Sequence, residues 1–300
     1  MGREKQRNSK LFIIPIILIF ILILTFIYLY LLYDDLVSNN LNLEIKLNKN
    51  KEIISYYDQT ISDLKKELEL SKNIKDNLEN KKIEYLKNIR NLEECILKGD
   101  SNKKIAYITI DDGPYNNTDK FLEILDNYNA TATFFVLLKP SKLETYKKIV
   151  AAGHTLANHT ASHKLGKNGI YASKEAFIND IYTLENWLYE NVGVKTTLFR
   201  FPGGSPTAGK LKISIASELK EKGYSYVDWN VIVGDGSNLL LKQKRPYEWF
   251  KEQIKGKNIA LILMHDYSEA TLEDLPKILQ YLKTNDYMVL PLSNQSIMVN

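Results

Sequence analysis

The sequence of 300 residues contains a single cysteine, Cys95, so the chain forms no disulfide bond within itself. A folded domain in this chain must therefore be stabilised by its core. A concentrated basic patch is also lacking, because the formal net charge is only +4 and the lysines and arginines are spread along the chain. This charge pattern argues against a protein that binds nucleic acid.

Residues 11–33 contain no charged side chain. At about 1.5 Å per residue, a helix of this length spans the hydrocarbon core of a bilayer, which is about 30 Å thick. A basic tail, residues 1–10, precedes this run, and Asp34 and Asp35 follow it. This arrangement predicts a single-pass protein of the cell membrane, with a cytoplasmic N-terminus and the remaining chain outside the cell. The alternative is a cleaved signal peptide, whose apolar core is usually shorter and ends at small residues.

Proline and glycine are absent from residues 36–98. Apolar residues recur there at alternating steps of four and three, the spacing of a heptad repeat. The apolar positions of the repeat are Leu36, Leu43, Leu47, Ile54, Tyr57, Ile61, Leu64, Leu68, Leu78, Tyr85, Ile89, Leu92 and Ile96, and its remaining positions hold the polar residues Asn40, Asn50, Ser71, Lys75 and Lys82. We predict a coiled-coil spacer over residues 34–98 that associates as a homodimer, ended by a polar linker at 99–102. The alternatives are a solvated single helix and a helix packed on the domain that follows it.

The hydrophobic period changes over residues 103–295, where short β-branched runs alternate with helical patterns. Strands are predicted at 105–110, 131–137, 154–158, 196–201, 224–231, 259–264 and 287–292. Helices are predicted between them, at 118–128, 142–152, 174–191, 211–222, 247–255 and 271–283. Strands that alternate with helices predict an α/β domain with a parallel sheet, either a barrel or a doubly wound sheet.

Side chains with catalytic chemistry follow five of the predicted strands. They are Asp111 and Asp112 after the first strand, His159 after the third, Arg200 and Asp228 near the ends of the fourth and fifth, and His265 after the sixth. The carboxyl ends of parallel strands meet at one edge, where barrels build their active sites. We therefore expect these residues to lie in one site.

One carboxylate and two imidazoles predict a metal site. His159 and His163 are four residues apart, so one helical turn would present both rings to the same ion. Asp111 and Asp112 would repel each other unless a cation neutralises one of them. Three protein ligands leave an open coordination position, as catalytic sites do. His154 lies at the opposite end of its strand and is predicted to be structural.

Arg200 lies in an apolar run, where an unpaired guanidinium is unfavourable, so we expect a carboxylate partner and name Asp111. His265 ends an apolar strand; as an imidazolium it would protonate a leaving amine, with Asp228 at its other ring nitrogen. Asn158 or a nearby carbonyl is expected to orient a ligand imidazole. A hydrolase with a nucleophilic serine is the competing interpretation, but the sequence has no G-x-S-x-G motif.

From about residue 105 to residue 292 the chain resembles the polysaccharide deacetylases of the NodB-homology group, carbohydrate esterase family 4. Five segments resemble the family's motifs in order: Thr-Ile-Asp-Asp-Gly at 109–113, His-Thr-Ala-Ser-His at 159–163, Arg-Phe-Pro-Gly-Gly at 200–204, Asp-Trp at 228–229 and Leu-Ile-Leu-Met-His at 261–265. Ile110 stands where an aromatic residue is usual, and Gly203 where many members have tyrosine. Ser225 stands where the fuller fourth motif has an acidic residue.

The resemblance implies a deformed (β/α) barrel of seven or eight strands, preceded here by the transmembrane helix and the coiled-coil helix. It implies that Asp112, His159 and His163 bind a divalent metal, usually zinc, with cobalt, manganese or nickel as alternatives. Asp111 would be the general base, tethered by Arg200, and His265 the general acid with Asp228 as its partner. Pro202 and Gly203 would lie at the oxyanion, with the Gly203 N–H as the donor, and Trp229 would line the acetyl or sugar pocket unless it packs in the core.

The implied activity is hydrolysis of N-acetyl groups on the amino sugars of peptidoglycan, by an enzyme anchored outside the membrane. A deacetylase of an N-acetylglucosamine exopolysaccharide, or of a chitin-like polymer, would use the same chemistry. Two alternatives come from other classes: an inactive barrel kept as a glycan-binding module on a coiled-coil scaffold, and a structural protein of the envelope.

Overall fold

The computed structural model describes residues 2–166, 168–236 and 244–299, and only the backbone of residues 2–16. The side chains of the predicted basic tail, and of residues 11–16 in the predicted span, therefore lie outside the described residues. The chain divides into two compact units, Met1–Asn80 and Lys81–Asn300.

The first unit is formed by helix α1, which runs from Gly2 to Lys98 and extends into the second unit. The apolar side chains described between residues 17 and 80 are exposed to solvent. Within the described part of the chain, one helix is long and apolar enough to cross a membrane, and its apolar window lies near the N-terminus. A secretory signal has the same composition. The helix predicted over residues 34–98 is confirmed.

The last turns of α1 belong to the second unit and pack on its sheet. Ile96 is 4% exposed and joins a core cluster that also includes Tyr107, with Leu92 packed against the same cluster. The buried Glu93 carboxylate accepts hydrogen bonds from the Tyr107 hydroxyl and the Ile297 N–H, both at 2.9 Å. The heptad positions Leu92 and Ile96 therefore contact the chain's own domain, which was one of the alternatives to a coiled coil.

The second unit is built on a parallel sheet. Its strands are β1 (Lys104–Asp111), β2 (Ala132–Val136), β3 (Thr155–Asn158), β4 (Leu198–Phe199), β5 (Ser225–Tyr226), β6 (Val231–Ile232), β7 (Ile259–His265) and β8 (Tyr287–Val289). The hydrogen-bonded order is β5-β4-β3-β2-β1-β7-β6, and β8 pairs with the amino-terminal half of β1. Strands β1 and β7 are buried almost throughout, which explains their continuous apolar sequences.

Among the described residues, six helices accompany the sheet: α2 (Thr118–Asn127), α3 (Leu143–Ala151), α4 (Lys174–Val192), α5 (Leu211–Glu221), α6 (Pro246–Gln253) and α7 (Glu269–Thr284). Short 3₁₀ turns lie at Pro140–Lys142 and Ser205–Ala208. The predicted deformed barrel of parallel strands and helices is confirmed. The single strand predicted at 224–231 is wrong, because it is two strands, β5 and β6. Between them the carbonyls of Val227 and Asp228 accept hydrogen bonds from the Arg200 guanidinium, at 3.0 and 3.2 Å.

The alternation of side chains along β1 determines which of them reach the site. Ala106, Ile108 and Ile110 belong to the large core cluster shared with the helices, whereas Ile105 and Tyr107 belong to the cluster drawn from several strands of the sheet. Because successive side chains point to opposite faces, Thr109 and Asp111 continue the row of Tyr107. Asp111 therefore ends an inward-facing row at the carboxyl edge of the sheet.

Candidate active site

A cleft of about 560 Å³ opens at the carboxyl edge of the sheet. It is lined by Asp111, Asp112, His159, His163, Leu165, Gly203, Trp229, Ile232, Gly234, Asp235, Gly236, Leu263, His265 and Tyr267. Asp111 and His265 end the neighbouring strands β1 and β7 and are partners in the register of that pair. The predicted convergence of separate strand ends on one cleft is therefore present.

Asp111 and Asp112 both line the cleft although they are adjacent in sequence. In a regular strand their side chains would point to opposite faces of the sheet. The backbone of Asp112 instead adopts φ of 69°, a left-handed conformation that is uncommon for residues other than glycine. This local turn redirects the second carboxylate, and such backbone strain is typical of functional sites.

The three predicted metal ligands form a cluster. One ligand atom each from Asp112, His159 and His163 lies within 4.8 Å of the others. Oδ1 of Asp112 is 3.5 Å from Nε2 of His159 and 3.5 Å from Nε2 of His163. Among the side chains that the structure describes, this Oδ1 is one of two buried polar atoms without a hydrogen-bond partner. A buried carboxylate oxygen that faces two imidazole nitrogens and lacks a donor fits a cation as its missing partner.

His159 is held in the tautomer that a metal ligand requires. Its Nδ1–H donates to the Arg200 carbonyl at 3.0 Å, which leaves the Nε2 lone pair facing Asp112. Burial lowers the pKa of His159 to about 3, so the ring is neutral at physiological pH. A nearby carbonyl was one of the two predicted orienting groups. The other, Asn158, accepts a hydrogen bond from the Thr160 N–H and so shapes the loop backbone.

The predicted helical turn between His159 and His163 is wrong. Thr160 and His163 have φ values of 69° and 50°, so the segment is a loop with two left-handed residues. The Thr160 hydroxyl accepts the His163 N–H at 3.1 Å, and Asp180 on α4 accepts hydrogen bonds from the N–H groups of Ala161 and Ser162. These contacts bring the two imidazole centroids to 5.0 Å without a helix.

Arg200 contacts Asp111, as predicted. Its Nη1 lies 2.8 Å from Oδ1 of Asp111 and 2.8 Å from the Thr109 hydroxyl oxygen, and the guanidinium also donates to the carbonyls of Val227 and Asp228. Arg200 is completely buried, so these acceptors compensate for the loss of water. Burial raises the pKa of the Asp111 carboxyl, while the charge of Arg200 acts in the opposite direction.

His265 is paired with Asp235, a residue that was not predicted. The Nδ1–H of His265 donates to Oδ1 of Asp235 at 2.8 Å, because a carboxylate can only accept. The second oxygen of Asp235 accepts the His265 N–H and the Thr271 hydroxyl, at 2.9 and 2.7 Å. Burial alone lowers the pKa of His265, but the hydrogen bond and charge of Asp235, with the charges of Asp111 and Asp112, raise it to about 9.

The predicted pairing of Asp228 with His265 is therefore wrong. Asp228 instead binds Ser205, accepting its N–H at 2.8 Å and its hydroxyl at 2.5 Å. It follows β5 and turns towards the loop after β4, whereas Asp235 follows β6, the strand next to β7. The sequence carried one signal for Asp235: it stands between two glycines directly after the apolar residues 231–233.

The loop after β4 contributes Gly203 to the cleft but not Pro202, which is buried and absent from the cleft lining. The Pro202 carbonyl accepts the Tyr171 hydroxyl at 2.8 Å, so the residue supports the loop instead of contacting the cleft. Gly203 is exposed with φ of 74°. No acceptor within the described ranges takes the Gly203 N–H.

Trp229 lines the cleft, and its ring lies 5.6 Å from Cζ of Arg200. The absence of a side chain at Gly204 allows this position, because a Cβ there would lie 3.1 Å from the ring of Trp229. The indole therefore both packs on the buried arginine and presents a surface to the cleft.

Comparisons with known proteins agree with this site. The sequence profile of the polysaccharide deacetylase family matches residues 98–227. A peptidoglycan-N-acetylglucosamine deacetylase of Bacillus cereus is 29% identical over 212 residues, which cover 64% of this chain and 88% of that protein. A putative polysaccharide deacetylase of Bacillus subtilis is 27% identical over 249 residues, which cover 80% of each chain.

Solved structures share the fold. The catalytic domain of a peptidoglycan N-acetylglucosamine deacetylase from Eubacterium rectale is 32% identical and superposes with a TM-score of 0.60, over 66% of this chain and 92% of that one. A CE4 esterase of Streptococcus mutans is 25% identical with a TM-score of 0.60, over 68% of this chain and 91% of that one. With the family profile and the extent of these matches, the chain belongs to the polysaccharide deacetylase family and is a hydrolase of that group.

Proposed function

We propose that this protein hydrolyses N-acetyl groups on the amino sugars of peptidoglycan, with a divalent cation held by Asp112, His159 and His163. One observation carries the proposal: the unpartnered Oδ1 of Asp112 faces two imidazole nitrogens in the same cleft as the Asp111–Arg200 and His265–Asp235 pairs. The peptidoglycan substrate is supported by the Bacillus cereus and Eubacterium rectale relatives, which are peptidoglycan N-acetylglucosamine deacetylases.

The donor set of one carboxylate and two imidazoles suits zinc first, with cobalt, manganese or nickel as substitutes. A cation bound there supplies Lewis acidity, which polarises the acetyl carbonyl and makes water more acidic. The protein's own contribution is to keep the three ligand atoms within 4.8 Å of one another before any ion arrives.

Asp111 acts as the general base. Its carboxylate receives the proton of the water that attacks the acetyl carbonyl carbon. Burial raises the pKa of this carboxyl, which makes it a stronger base than an exposed aspartate, and Arg200 holds it in one orientation. Oδ2 of Asp111 lies 3.6 Å from Nε2 of His159, so the base is next to the ligand cluster.

His265 acts as the general acid. When the tetrahedral intermediate collapses, the carbon–nitrogen bond breaks and Nε2–H of His265 protonates the departing amine, so that acetate and the free amino sugar are the products. Asp235 accepts from Nδ1 and keeps the ring charged at neutral pH, since the pKa of His265 is raised to about 9. Nε2 of His265 is 3.9 Å from Oδ2 of Asp112, so the acid lies next to a carboxylate that would hold the cation.

Gly203 and Trp229 complete the pocket. The Gly203 N–H is the donor for the oxyanion that develops on the acetyl oxygen. The indole of Trp229, together with Leu263 in the cleft wall, gives an apolar surface for the acetyl methyl group. Gly203 adopts φ of 74°, a backbone conformation that a tyrosine would find strained.

The N-terminal part of the chain determines where this chemistry takes place. We propose that residues 11–33 anchor the protein in the cell membrane, with residues 1–10 in the cytoplasm and the catalytic domain outside, where peptidoglycan lies. Between the anchor and residue 80, apolar heptad side chains such as Leu43, Leu64 and Leu78 are exposed. A second copy of this helix would cover them in a parallel coiled coil.

Acetate release by the full-length chain in detergent micelles tests the proposal. The protein is supplied with Zn²⁺ or Co²⁺ and offered purified peptidoglycan and N-acetylglucosamine oligomers in parallel, with His159→Ala as the control. Release from peptidoglycan that the control lacks supports the proposal. Release from the oligomers only would move the substrate to an exopolysaccharide or chitin-like chain. Metal binding without release from either would support the glycan-binding alternative.

A further inference from the structure

Two tyrosines in contact with each other have no role in the mechanism described above, and one of them, Tyr267, packs on the acid His265. Tyr267 follows His265 by two residues and lines the cleft, and Tyr115 follows the loop that contains Asp111 and Asp112. Their rings meet edge to face with centroids 5.5 Å apart. Tyr115 is 38% exposed and Tyr267 is 37% exposed.

We propose that Tyr267 and Tyr115 form a sugar-binding rim that contacts the pyranose ring carrying the acetamido group. This inference rests on the proposed deacetylase function and names how that site holds its substrate. The ligand class is a chain of β-linked N-acetylated hexosamines. Such sugars present an apolar C–H face to aromatic rings and hydroxyl groups to polar atoms at the ring's edge.

The chemistry of the reaction determines which side of the cleft the sugar occupies. The amine nitrogen that His265 protonates remains attached to the sugar, so the pyranose ring must lie within a few bonds of that imidazole. The centroid of Tyr267 is 5.0 Å from the centroid of His265, with an angle of 30° between the ring planes. A substrate whose nitrogen reaches Nε2 of His265 therefore passes along Tyr267.

The rim is ordered before any substrate binds. The ammonium of Lys139 lies 3.2 Å from the centroid of the Tyr115 ring and donates to the Asp112 carbonyl at 2.8 Å. The Tyr115 N–H is held by the hydroxyl of Thr118 at 2.7 Å and by Oδ2 of Asp266 at 3.2 Å. Tyr115 in turn packs on Tyr267. A preformed surface loses little conformational entropy on binding, which favours affinity.

The phenol hydroxyls are free to bind a ligand. Within residues 2–166, 168–236 and 244–299, neither the Tyr115 hydroxyl nor the Tyr267 hydroxyl forms a hydrogen bond to another protein group. By contrast, the buried Tyr107 and the half-buried Tyr171 both donate to protein oxygens. Because both Tyr115 and Tyr267 are exposed, their hydroxyls can form hydrogen bonds with a sugar hydroxyl.

Binding of an N-acetylglucosamine tetramer to full-length protein in micelles, measured by titration calorimetry, tests the rim. The Asp111→Asn variant serves as the background, so that the tetramer is not consumed. In this background we expect Tyr267→Ala to raise the dissociation constant about five- to fifty-fold. Tyr267→Phe should raise it less, because only the hydrogen bond of the hydroxyl is lost. Tyr189→Ala is the matched control, because Tyr189 is 63% exposed on α4. A dissociation constant for Tyr267→Ala equal to that of the control overturns the inference.

Kinetics with Asp111 intact separate sugar binding from support of His265. For Tyr267→Ala, we expect kcat/KM for acetate release from the tetramer to fall at least five times further than kcat/KM for p-nitrophenyl acetate, which carries no sugar. Equal losses on both substrates would mean that the ring only positions His265, and would overturn the sugar contact. If the unmodified protein cleaves the acetyl ester but releases acetate from no glycan, the proposed function fails. If it releases acetate from glycans and Tyr267→Ala behaves as Tyr189→Ala does, only the rim fails.

Discussion

The end of α1 should be required for the stability of the catalytic domain, and not only for its proposed attachment to the membrane. A fragment that begins at Asn102 has the whole predicted strand and helix pattern of the domain, but it lacks Leu92, Glu93 and Ile96. A fragment that begins at Lys81 keeps them, and Lys81 is where the compact second unit begins. We expect the longer fragment to fold and the shorter one to be marginal or unfolded.

The magnitude follows from what those residues bury. Ile96 is 4% exposed, and full burial of an isoleucine side chain contributes about 1.5–3 kcal/mol. Removal of Glu93 leaves the buried Tyr107 hydroxyl and the Ile297 N–H without acceptors, which costs about 1–3 kcal/mol for each group. The expected loss is about 3.5–9 kcal/mol, against a total stability of about 5–15 kcal/mol for an ordinary domain.

Urea unfolding of the two fragments, followed by tryptophan fluorescence, measures the difference. Two substitutions in the longer fragment separate the parts of the effect. Glu93→Ala should lower the free energy of unfolding by about 2–6 kcal/mol, since both donors lose their acceptor. Glu93→Gln should have a much smaller effect, because the amide oxygen can accept the Ile297 N–H while its NH₂ donates to the Tyr107 oxygen.

Burial also raises the pKa of the Glu93 carboxyl, so the neutral glutamine avoids the unfavourable burial of a charge. Equal midpoints for the fragments that begin at Lys81 and Asn102 would refute this reasoning. That result would mean that the helix end rests on the barrel without stabilising it, and that residues 34–98 act only as a spacer.

Three further predictions concern the site and the core. Asp111→Asn should lower kcat by at least about a hundredfold while zinc content, measured by atomic emission, stays near one ion per chain; loss of the metal would contradict the division of roles. Asp235→Asn should reduce kcat about ten- to a hundredfold, whereas Asp228→Asn should be nearly silent because asparagine can still bind Ser205; the reverse order would restore Asp228 as the partner. Burial lowers the pKa of His154 to about 4 from 6.5, so the unfolded chain takes up the extra proton and the free energy of unfolding falls as pH drops from 6.5 to 4. His154→Gln should flatten this slope in urea titrations at several pH values.

The sequence predicted the parts of the structure that depend on local pattern. The sequences of β1 and β7 are mostly apolar, and this pattern predicted two strands of a parallel sheet. Asp111 and His265 were expected at one edge because they end such strands. Their pairing in register follows from the same rule.

Other features could not be predicted because several residues satisfied the same pattern. Asp228 and Asp235 both follow short strands, and only the order β5-β4 on one side and β7-β6 on the other decides which of them reaches His265. Leu92 and Ile96 fit a coiled-coil seam as well as they fit a domain core, since both require apolar residues at the same spacing. The loop between His159 and His163 depends on contacts from α4, which no periodicity encodes.

Arg200 connects the two halves of the proposed chemistry. Its guanidinium holds the base Asp111, while its backbone carbonyl accepts the Nδ1–H of the ligand His159. The four acceptors of the guanidinium come from β1 and from the chain between β5 and β6, so the strand break that the sequence did not predict is the feature that satisfies the buried charge. A continuous strand through residues 224–231 would use these carbonyls in its own ladder and leave the guanidinium short of partners. The irregular edge of the barrel thus supports the site, because it satisfies the one buried arginine that contacts both the proposed base and a proposed metal ligand.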